Sequence, residues 1–189
     1  VECIASGKWS SLEVTETFIR QIESVSSDIN ALVVSRFEQA RCEAAAADQA
    51  CSEGAVLGPL HGLPMTVKEC FHVAGTAATL GLTARAGQLH QQDGIHVRRL
   101  RQAGAIILGK TNVPQLMLWH ECDNPVFGRT CNPWDLERGP AGSTGGEAAL
   151  LAAYGSPLGL GSDLGGSIRV PSHMCGIHGI KPTSGRLPR

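Results

Sequence analysis

The segment GSDLGGSIRVPS, from Gly161 to Ser172, constrains this chain more than any other, because it places one serine directly behind two glycines. Glycine has no Cβ atom, so the backbone can adopt a positive φ there and lie close to a carbonyl group. An oxyanion hole built from main-chain N–H donors needs such a backbone. The segment therefore indicates Ser167 as a candidate nucleophile. The structural alternative is a plain turn, for which Gly-Gly-Ser is a common composition.

A second glycine-rich loop, GPAGSTGG, contains Ser143 and precedes a predicted helix from Glu147 to Tyr154. Lys68 ends the apolar run LPMTVK. A serine hydroxyl is a weak nucleophile until a base removes its proton, and lysine becomes such a base when burial lowers its pKa toward neutrality. Lys68, Ser143 and Ser167 together therefore point to serine-based catalysis. Taken singly, Lys68 could be a surface lysine at a strand end, Ser143 a helix N-cap and the glycines after it a plain loop.

These motifs resemble the amidase signature family, whose members hydrolyse amides with a Ser–cis-Ser–Lys triad. The family's first loop reads GGSSGG and here reads AGSTGG, while its nucleophile segment reads G(T/S)DxGGS(I/V)R and here reads GSDLGGSIR. The two serines stand 24 residues apart, in agreement with the family. The resemblance is dense from Gly58 to Pro182 and weaker before it.

The resemblance implies a role for each matching residue. Lys68 is expected to be the catalytic base, Ser143 the bridging serine that precedes a cis peptide bond, and Ser167 the nucleophile that forms the acyl-enzyme. Gly142 and Thr144 are expected to support the site. Four main-chain groups are expected to form the oxyanion hole, those of Leu164, Gly165, Gly166 and Ser167. No metal and no cofactor are expected.

Two residues of the first loop depart from the family pattern. Ala141 replaces a glycine, and Thr144 replaces a serine that supports the site by hydrogen bonding. Because Thr144 keeps a hydroxyl group, we expect activity to survive, and we expect the extra methyl group to affect only the fine geometry of the site.

Several short sequence segments resemble the fatty acid amide hydrolase-like branch of the family. The segments that carry this resemblance are KECF at 68–71, TLGL at 79–82, TNVPQ at 111–115, NPVFG at 124–128 and GSPLGLG at 155–161. The amidotransferases of the family usually carry Asp-Glu after the Thr-Asn pair, which disfavours glutamine amide transfer here. The expected activity is cleavage of the C–N bond of linear carboxylic amides, such as fatty acid or N-acyl amides, and also of esters. An amidase subunit of the amidotransferase type is the alternative.

The order of apolar segments predicts an α/β fold with a mixed sheet flanked by helices. Ser10 and Glu13 form a predicted capping box at the start of an amphipathic helix. The other predicted elements are strands at 31–34, 64–67 and 105–108 and helices at 36–50 and 95–102.

Composition limits the classes of partner. The 189 residues carry a formal net charge of −1, and 42% of them are hydrophobic, which is typical of a globular domain without a nucleic-acid surface. The cluster of Arg98, Arg99 and Arg101 is predicted to be a solvated helix face. The seven cysteines and seven histidines lack metal-ligand spacing. The expectation is a reduced, cytoplasmic protein with a small-molecule amide substrate, in which homo-oligomer formation stays open and membrane association is expected only through parts outside this chain.

The family's domain continues well past the nucleophile segment, so residues 1–189 are expected to be the N-terminal portion of a single amidase signature domain. The triad would then be present, while the walls that select the substrate would largely lie elsewhere. The alternative is a truncated product without catalytic activity.

Overall fold

The computed structural model describes residues 1–55 and 58–188. Its helices are α1 Glu2–Ala5, α2 Ser11–Ile29, α3 Phe37–Ser52, α4 Ile95–Gln102, α5 Gly145–Ala152 and α6 Arg169–Cys175. Its strands are β1 Leu32–Ser35, β2 Pro64–Lys68, β3 Ile106–Thr111 and β4 Gly159–Leu160, and short 3₁₀ turns lie at Thr83–Arg85 and Gln115–Met117.

The four strands form one mixed sheet in the order β1-β3-β2-β4. Strands β2, β3 and β4 are parallel, and β1 is antiparallel to β3. Every residue of β2 and β3 is buried, which agrees with central strands that are covered on both faces. The predicted α/β class with a mixed sheet flanked by helices is therefore confirmed.

A separate apolar cluster covers each face of the sheet. On one face, Ile106 and Leu108 of β3 pack with α2, α3 and α5. On the other face, Met65 and Val67 of β2 pack with Ile107 and with Val97 of α4. The register of β2 and β3 shifts between Met65 and Thr66, so the alternation of faces changes near the carboxyl ends of the strands.

The predicted capping box at the start of α2 is confirmed by two reciprocal hydrogen bonds. Glu13 N donates to Ser10 Oγ at 2.9 Å, and Ser10 N donates to Glu13 Oε2 at 3.1 Å. The bond pair satisfies two amides that would otherwise lack partners at a helix end, and it fixes where α2 begins.

The helix predicted at 95–102 is present with the same bounds, as α4, and the other predicted elements are present with shifted ends. Strand β3 extends to Thr111, three residues beyond the prediction, and α5 begins at Gly145 instead of Glu147. Three elements have no counterpart among the predictions: α1, β4 and α6. Strand β4 has two residues, too few for a visible period, and α6 has Pro171 in its first turn, where the missing N–H is tolerated.

Three segments meet at the carboxyl edge of the parallel strands. Strand β2 ends at Lys68, β3 ends at Thr111, and the segment that starts at Gly161 directly follows β4. Crevices at the carboxyl ends of strands are the usual ligand sites of open α/β sheets. The sheet therefore brings two of the three predicted motifs, the run that ends at Lys68 and the segment that contains Ser167, toward one edge. None of the helices in the described ranges has the length and hydropathy that crossing a bilayer requires.

Candidate active site

Lys68 is fully buried at the end of β2, with 0% of its surface exposed. Its Nζ atom lies 2.7 Å from Ser143 Oγ, 3.0 Å from Thr144 Oγ1, 3.0 Å from Ser162 Oγ and 3.4 Å from the Ser162 carbonyl oxygen. Burial disfavours the charged form and lowers the pKa of Lys68 to about 8. The interpretation of Lys68 as a surface lysine is wrong.

Ser143 and Thr144 lie in the glycine-rich loop GPAGSTGG, directly before α5 begins at Gly145. Thr144 is the N-cap residue of α5 and makes no side-chain capping bond, so Ser143 is not the N-cap. The cis peptide bond joins Gly142 to Ser143, which corrects the expectation that Ser143 precedes it. The Ser143 side chain extends toward β2, where its Oγ atom meets Lys68 Nζ.

Thr144 uses the hydroxyl group that the family's serine would supply. Its Oγ1 donates to the Ser162 carbonyl oxygen at 3.1 Å and accepts from Lys68 Nζ. The extra methyl group packs over Gly161, where an added Cβ atom would lie 2.7 Å from Thr144 Cγ2. The missing side chain of Gly161 therefore gives the methyl group its space.

Asp163 holds the nucleophile segment together. Its carboxylate accepts the amides of Gly166 at 2.8 Å, Ile168 at 3.0 Å and Arg169 at 3.2 Å. Two guanidinium nitrogens of Arg169 also donate to it, at 3.0 and 2.9 Å. These donors, the guanidinium first, hold the pKa of Asp163 well below its usual range, so the carboxylate stays ionised.

The predicted oxyanion donors do not all have the same surroundings. The Gly166 amide donates to Asp163, a partner that the sequence does not indicate. Within the described ranges, the amides of Leu164, Gly165 and Ser167 have no hydrogen-bond acceptor in the protein. Three of the four predicted donors are thus free to bind an external oxygen.

The two serine loops touch through the main chain. Thr144 N donates to the Ser167 carbonyl oxygen at 3.0 Å. Among the residues that the structure describes, Ser167 Oγ forms no hydrogen bond with Ser143 or Lys68. The structure therefore joins Lys68 to Ser143 directly and brings Ser167 to the adjoining loop.

Sequence reasoning missed two side chains of this site, Ser162 and Asp163. Both stand inside the nucleophile segment, so their position in the motif is visible from the sequence while their partners are not. His173 and His178, which follow Ser167 closely in the sequence, are both exposed. In the arginine cluster, Arg98 and Arg99 are exposed as predicted, whereas Arg101 forms an ion pair with Glu43 at 2.7 Å and is not simply solvated.

The comparisons with known proteins define the family. The Amidase family model matches residues 13–189, and the chain belongs to this family. Fatty-acid amide hydrolase 1 of Sus scrofa is 43% identical over 189 residues, which is 100% of this chain and 31% of that protein. A glutamyl-tRNA(Gln) amidotransferase subunit of Streptomyces coelicolor is 39% identical over 186 residues, which is 98% of this chain and 37% of that protein.

A solved structure shows the same fold. The native peptide amidase of Stenotrophomonas maltophilia superposes with a TM-score of 0.90 at 31% identity, over 100% of this chain and 40% of that one. The chain thus spans between 31% and 40% of the length of these three relatives.

Proposed function

We propose that the protein hydrolyses carboxylic amides, with Ser167 as nucleophile, Ser143 as proton relay and Lys68 as base. The observation that carries the proposal is the 2.7 Å contact between Ser143 Oγ and the Nζ atom of a fully buried lysine. A lysine whose pKa is lowered by burial is partly neutral near physiological pH, so it can accept a proton there. An exposed lysine stays protonated at that pH and cannot.

The proton movements follow from this contact. Neutral Lys68 accepts the Ser143 hydroxyl proton, Ser143 accepts the proton of Ser167, and Ser167 Oγ forms a bond to the amide carbonyl carbon. The carbonyl oxygen becomes an oxyanion that the free amides of the nucleophile segment stabilise. The proton then returns through Ser143 to the leaving amine as the C–N bond breaks. A water molecule hydrolyses the acyl-enzyme and releases the acid.

The hydrogen bonds around Lys68 favour the direction of the first transfer. The Thr144 hydroxyl hydrogen points to the Ser162 carbonyl oxygen, so Thr144 Oγ1 can only accept from Nζ. The Ser162 carbonyl can likewise only accept. Ser162 Oγ, 3.0 Å from Nζ, can accept as well, because the hydroxyl of Ser162 is hydrogen-bonded to the Cys70 side chain. These oxygens can take both N–H bonds of neutral Lys68, which leaves its lone pair for the Ser143 hydroxyl hydrogen.

The Ser143–Ser167 link belongs to the substrate complex in this proposal. Catalytic hydrogen bonds are often long in substrate-free enzymes and tighten when substrate binds. The bond from Thr144 N to the Ser167 carbonyl oxygen already holds the two loops in contact, and the relay requires Ser167 Oγ to come within hydrogen-bond distance of Ser143 Oγ when substrate binds.

Linear N-acyl amides are the proposed substrate class, with the matching esters as a second class. Leu164, in the nucleophile segment itself, is 100% exposed, and Val170 is exposed on the following helix. Apolar side chains beside the reacting serine favour an apolar acyl group. The sequence motifs that resemble the fatty acid amide hydrolase-like branch support the same substrate class.

A fluorophosphonate probe tests the nucleophile. We expect covalent labelling of the protein at Ser167, and loss of both labelling and amide hydrolysis in Ser167→Ala, with turnover reduced on the order of 10⁶-fold. Labelling that persists in Ser167→Ala contradicts the assignment.

The substrate class needs a separate assay. An N-acyl amine, its matching ester and glutamine are supplied side by side, with acid and ammonia release measured. We expect acid from the first two. If glutamine released ammonia and neither the N-acyl amine nor the ester released acid, the result would support a glutamine-dependent amidotransferase instead.

A further inference from the structure

Glu147 is a buried carboxyl group in the first turn of α5, four residues after Ser143. The hydroxyl of Thr66 donates to its Oε1 atom, and the hydroxyl of Thr111 donates to its Oε2 atom at 2.7 Å. Thr66 lies two residues before Lys68 on β2, and Thr111 is the β3 partner of Lys68 in the sheet register. The carboxyl group therefore ties the start of α5 to the two strands that carry and flank Lys68.

The sheet leaves room for this carboxyl group at one position. Gly159 of β4 pairs with Thr66, and a Cβ atom on Gly159 would lie 2.2 Å from Glu147 Oε1. The same Cβ atom would lie 2.5 Å from Glu147 Cγ and 2.6 Å from Glu147 Cδ, so a larger residue at 159 would displace the Glu147 side chain from this position. Strand β4 leads directly into the nucleophile segment. The Glu147 carboxyl group therefore lies close to the start of each of the three segments that carry Lys68, Ser143 and Ser167.

Glu147 and Lys68 also interact through charge. Successive residues of a strand point to opposite faces, so Thr66 and Lys68 share the face on which α5 packs. Burial raises the pKa of Glu147 to about 7, while the two threonine hydroxyls and Lys68 favour its ionised form. The negative charge of Glu147, in turn, favours protonated Lys68 against the cost of burial.

We propose that Glu147 is a positioning residue for Lys68: its carboxyl group fixes the end of β2 against the start of α5, and its negative charge stabilises the protonated form of the lysine. The proposal rests on the proposed role of Lys68 as base. The carboxyl group does not touch the substrate, and it acts through the lysine. It would hold Lys68 Nζ at Ser143 and stabilise the ammonium ion that forms when Lys68 takes the proton.

Other titratable groups act on Lys68 as well. They are Cys70, two residues after it, Cys122, which packs against the start of α5, and Asp163 in the nucleophile segment. The pKa values of Cys70 and Cys122 are raised by burial, so these thiols stay neutral near pH 8, and Asp163 is ionised and already paired with Arg169. Of these four groups that act on Lys68, Glu147 is thus the one whose charge can change near the titration of the lysine.

The test is a lysine titration that does not depend on turnover. This chain contains four lysines, Lys8, Lys68, Lys110 and Lys181, so ¹³Cε-labelled lysine gives few NMR signals, and the Lys68 signal is assigned by its loss in Lys68→Met. In Glu147→Gln we expect the Lys68 midpoint to fall by up to about one pH unit, because an opposite charge is removed. We also expect the plateau of kcat to fall about tenfold with little change in KM, as a displaced base would cause.

Glu69→Gln is the matched control. Glu69 is also fully buried, but it lies 3.9 Å from Lys110. In this variant we expect the Lys110 midpoint to fall and the Lys68 midpoint to stay in place. An unchanged Lys68 midpoint in Glu147→Gln, or an equal fall in Glu69→Gln, overturns the proposal.

Thr111→Val replaces Glu147→Gln if the latter does not fold. Removal of one donor favours protonated Glu147, so the Lys68 midpoint should fall by a smaller amount; no fall in this variant also counts against the proposal. The titration separates two failures. A shifted Lys68 midpoint without any labelling of Ser167 leaves the coupling intact and rejects the proposed chemistry.

Discussion

Two lysines at the ends of adjacent strands have the same burial and opposite surroundings. Lys68 of β2 and Lys110 of β3 are both 0% exposed, and burial lowers the pKa of each to about 8. Lys110 pairs with Val67 and Lys68 with Thr111, so the two side chains lie on opposite faces of the sheet. Lys68 faces hydroxyl groups, whereas Lys110 donates to the Ala77 carbonyl oxygen and lies 3.9 Å from the Glu69 carboxylate.

The difference shows that a lowered lysine pKa does not identify a base. Glu69 also accepts the amides of Thr79 and Leu80, so the Lys110 pair connects β3 to the loop after β2 and has no hydroxyl group to deprotonate. Lys68 has such a group, Ser143, at 2.7 Å. Perturbed titration marks a candidate, and the partner decides between catalysis and structure.

Replacement of each lysine by methionine should separate the two roles. In Lys68→Met we expect kcat/KM to fall by about 10⁴-fold, since a general base supplies up to that factor. Thermal stability should change little, because an apolar chain of similar length fills the space and Glu147, whose pKa is raised to about 7, can become neutral. Amide hydrolysis and thermal unfolding are measured on the same sample. A Lys68→Met variant with a normal rate would remove the distinction between the two lysines.

Lys110→Met should produce the reverse pattern. The substitution leaves Glu69 buried without its cation, so we expect the free energy of unfolding to fall by about 3 kcal/mol, roughly a 10²-fold change in the unfolding equilibrium. Fluorophosphonate labelling of the folded fraction should persist. Urea denaturation gives the stability, and Lys110→Met combined with Glu69→Gln should recover part of the loss. A double variant no more stable than the single one contradicts the pairing.

The motif predicts a catalytic role for Lys68, whereas no motif in the sequence predicts a role for Lys110. Both lysines lie near the carboxyl ends of buried strands, in TVKE and LGKT, so the local sequence pattern does not distinguish them. The partners that separate them lie far away along the chain: Ser143 is 75 residues from Lys68, and Ala77 is 33 residues from Lys110.

The same reasoning explains the rest of the site. Ser167 and Ser143 stand in glycine-rich segments with local signatures, so their positions were predictable, as was the order of strands and helices. Glu147 contacts Thr66 across 81 residues, and no local period or motif indicates that contact. Contacts set by sheet register and helix docking need the fold before they can be read.

The pH dependence of hydrolysis sharpens the comparison further. Lys68 acts as base only when neutral, and its pKa is about 8, so the rate should rise about tenfold from pH 6 to 7 and level off above pH 8. The apparent value belongs to Lys68 together with its coupled neighbours. Lys110 titrates in the same range, so Lys110→Met is the control and should keep the rising limb. If the rise in rate with pH disappeared in Lys110→Met, the rise would belong to Lys110 and the assignment to Lys68 would be wrong.

The backbone around the two lysines provides the smallest effect. Each surrounding loop holds one non-glycine residue at positive φ, Ala141 at 64° before Ser143 and Leu80 at 52° beside Glu69. The left-handed conformation costs about 1 to 2 kcal/mol in a residue with a Cβ atom, and a glycine avoids this cost. Glycine also increases the entropy of the unfolded chain, which lowers the free energy of unfolding by about 0.4 to 1 kcal/mol. Ala141→Gly should therefore raise the free energy of unfolding by about 0.5 to 1 kcal/mol.

Urea denaturation measures this gain, and the hydrolysis rate should stay within about twofold of the original, because Ala141 has no side chain in the hydroxyl cluster around Lys68. Leu80→Gly is an unequal partner, since it also removes a half-buried side chain, and we expect it to lose stability. If Ala141→Gly is less stable than the original protein, the methyl group of Ala141 contributes packing that outweighs its backbone conformation. The loop around Lys68 would then be held by contacts, as the loop around Lys110 is held by Glu69.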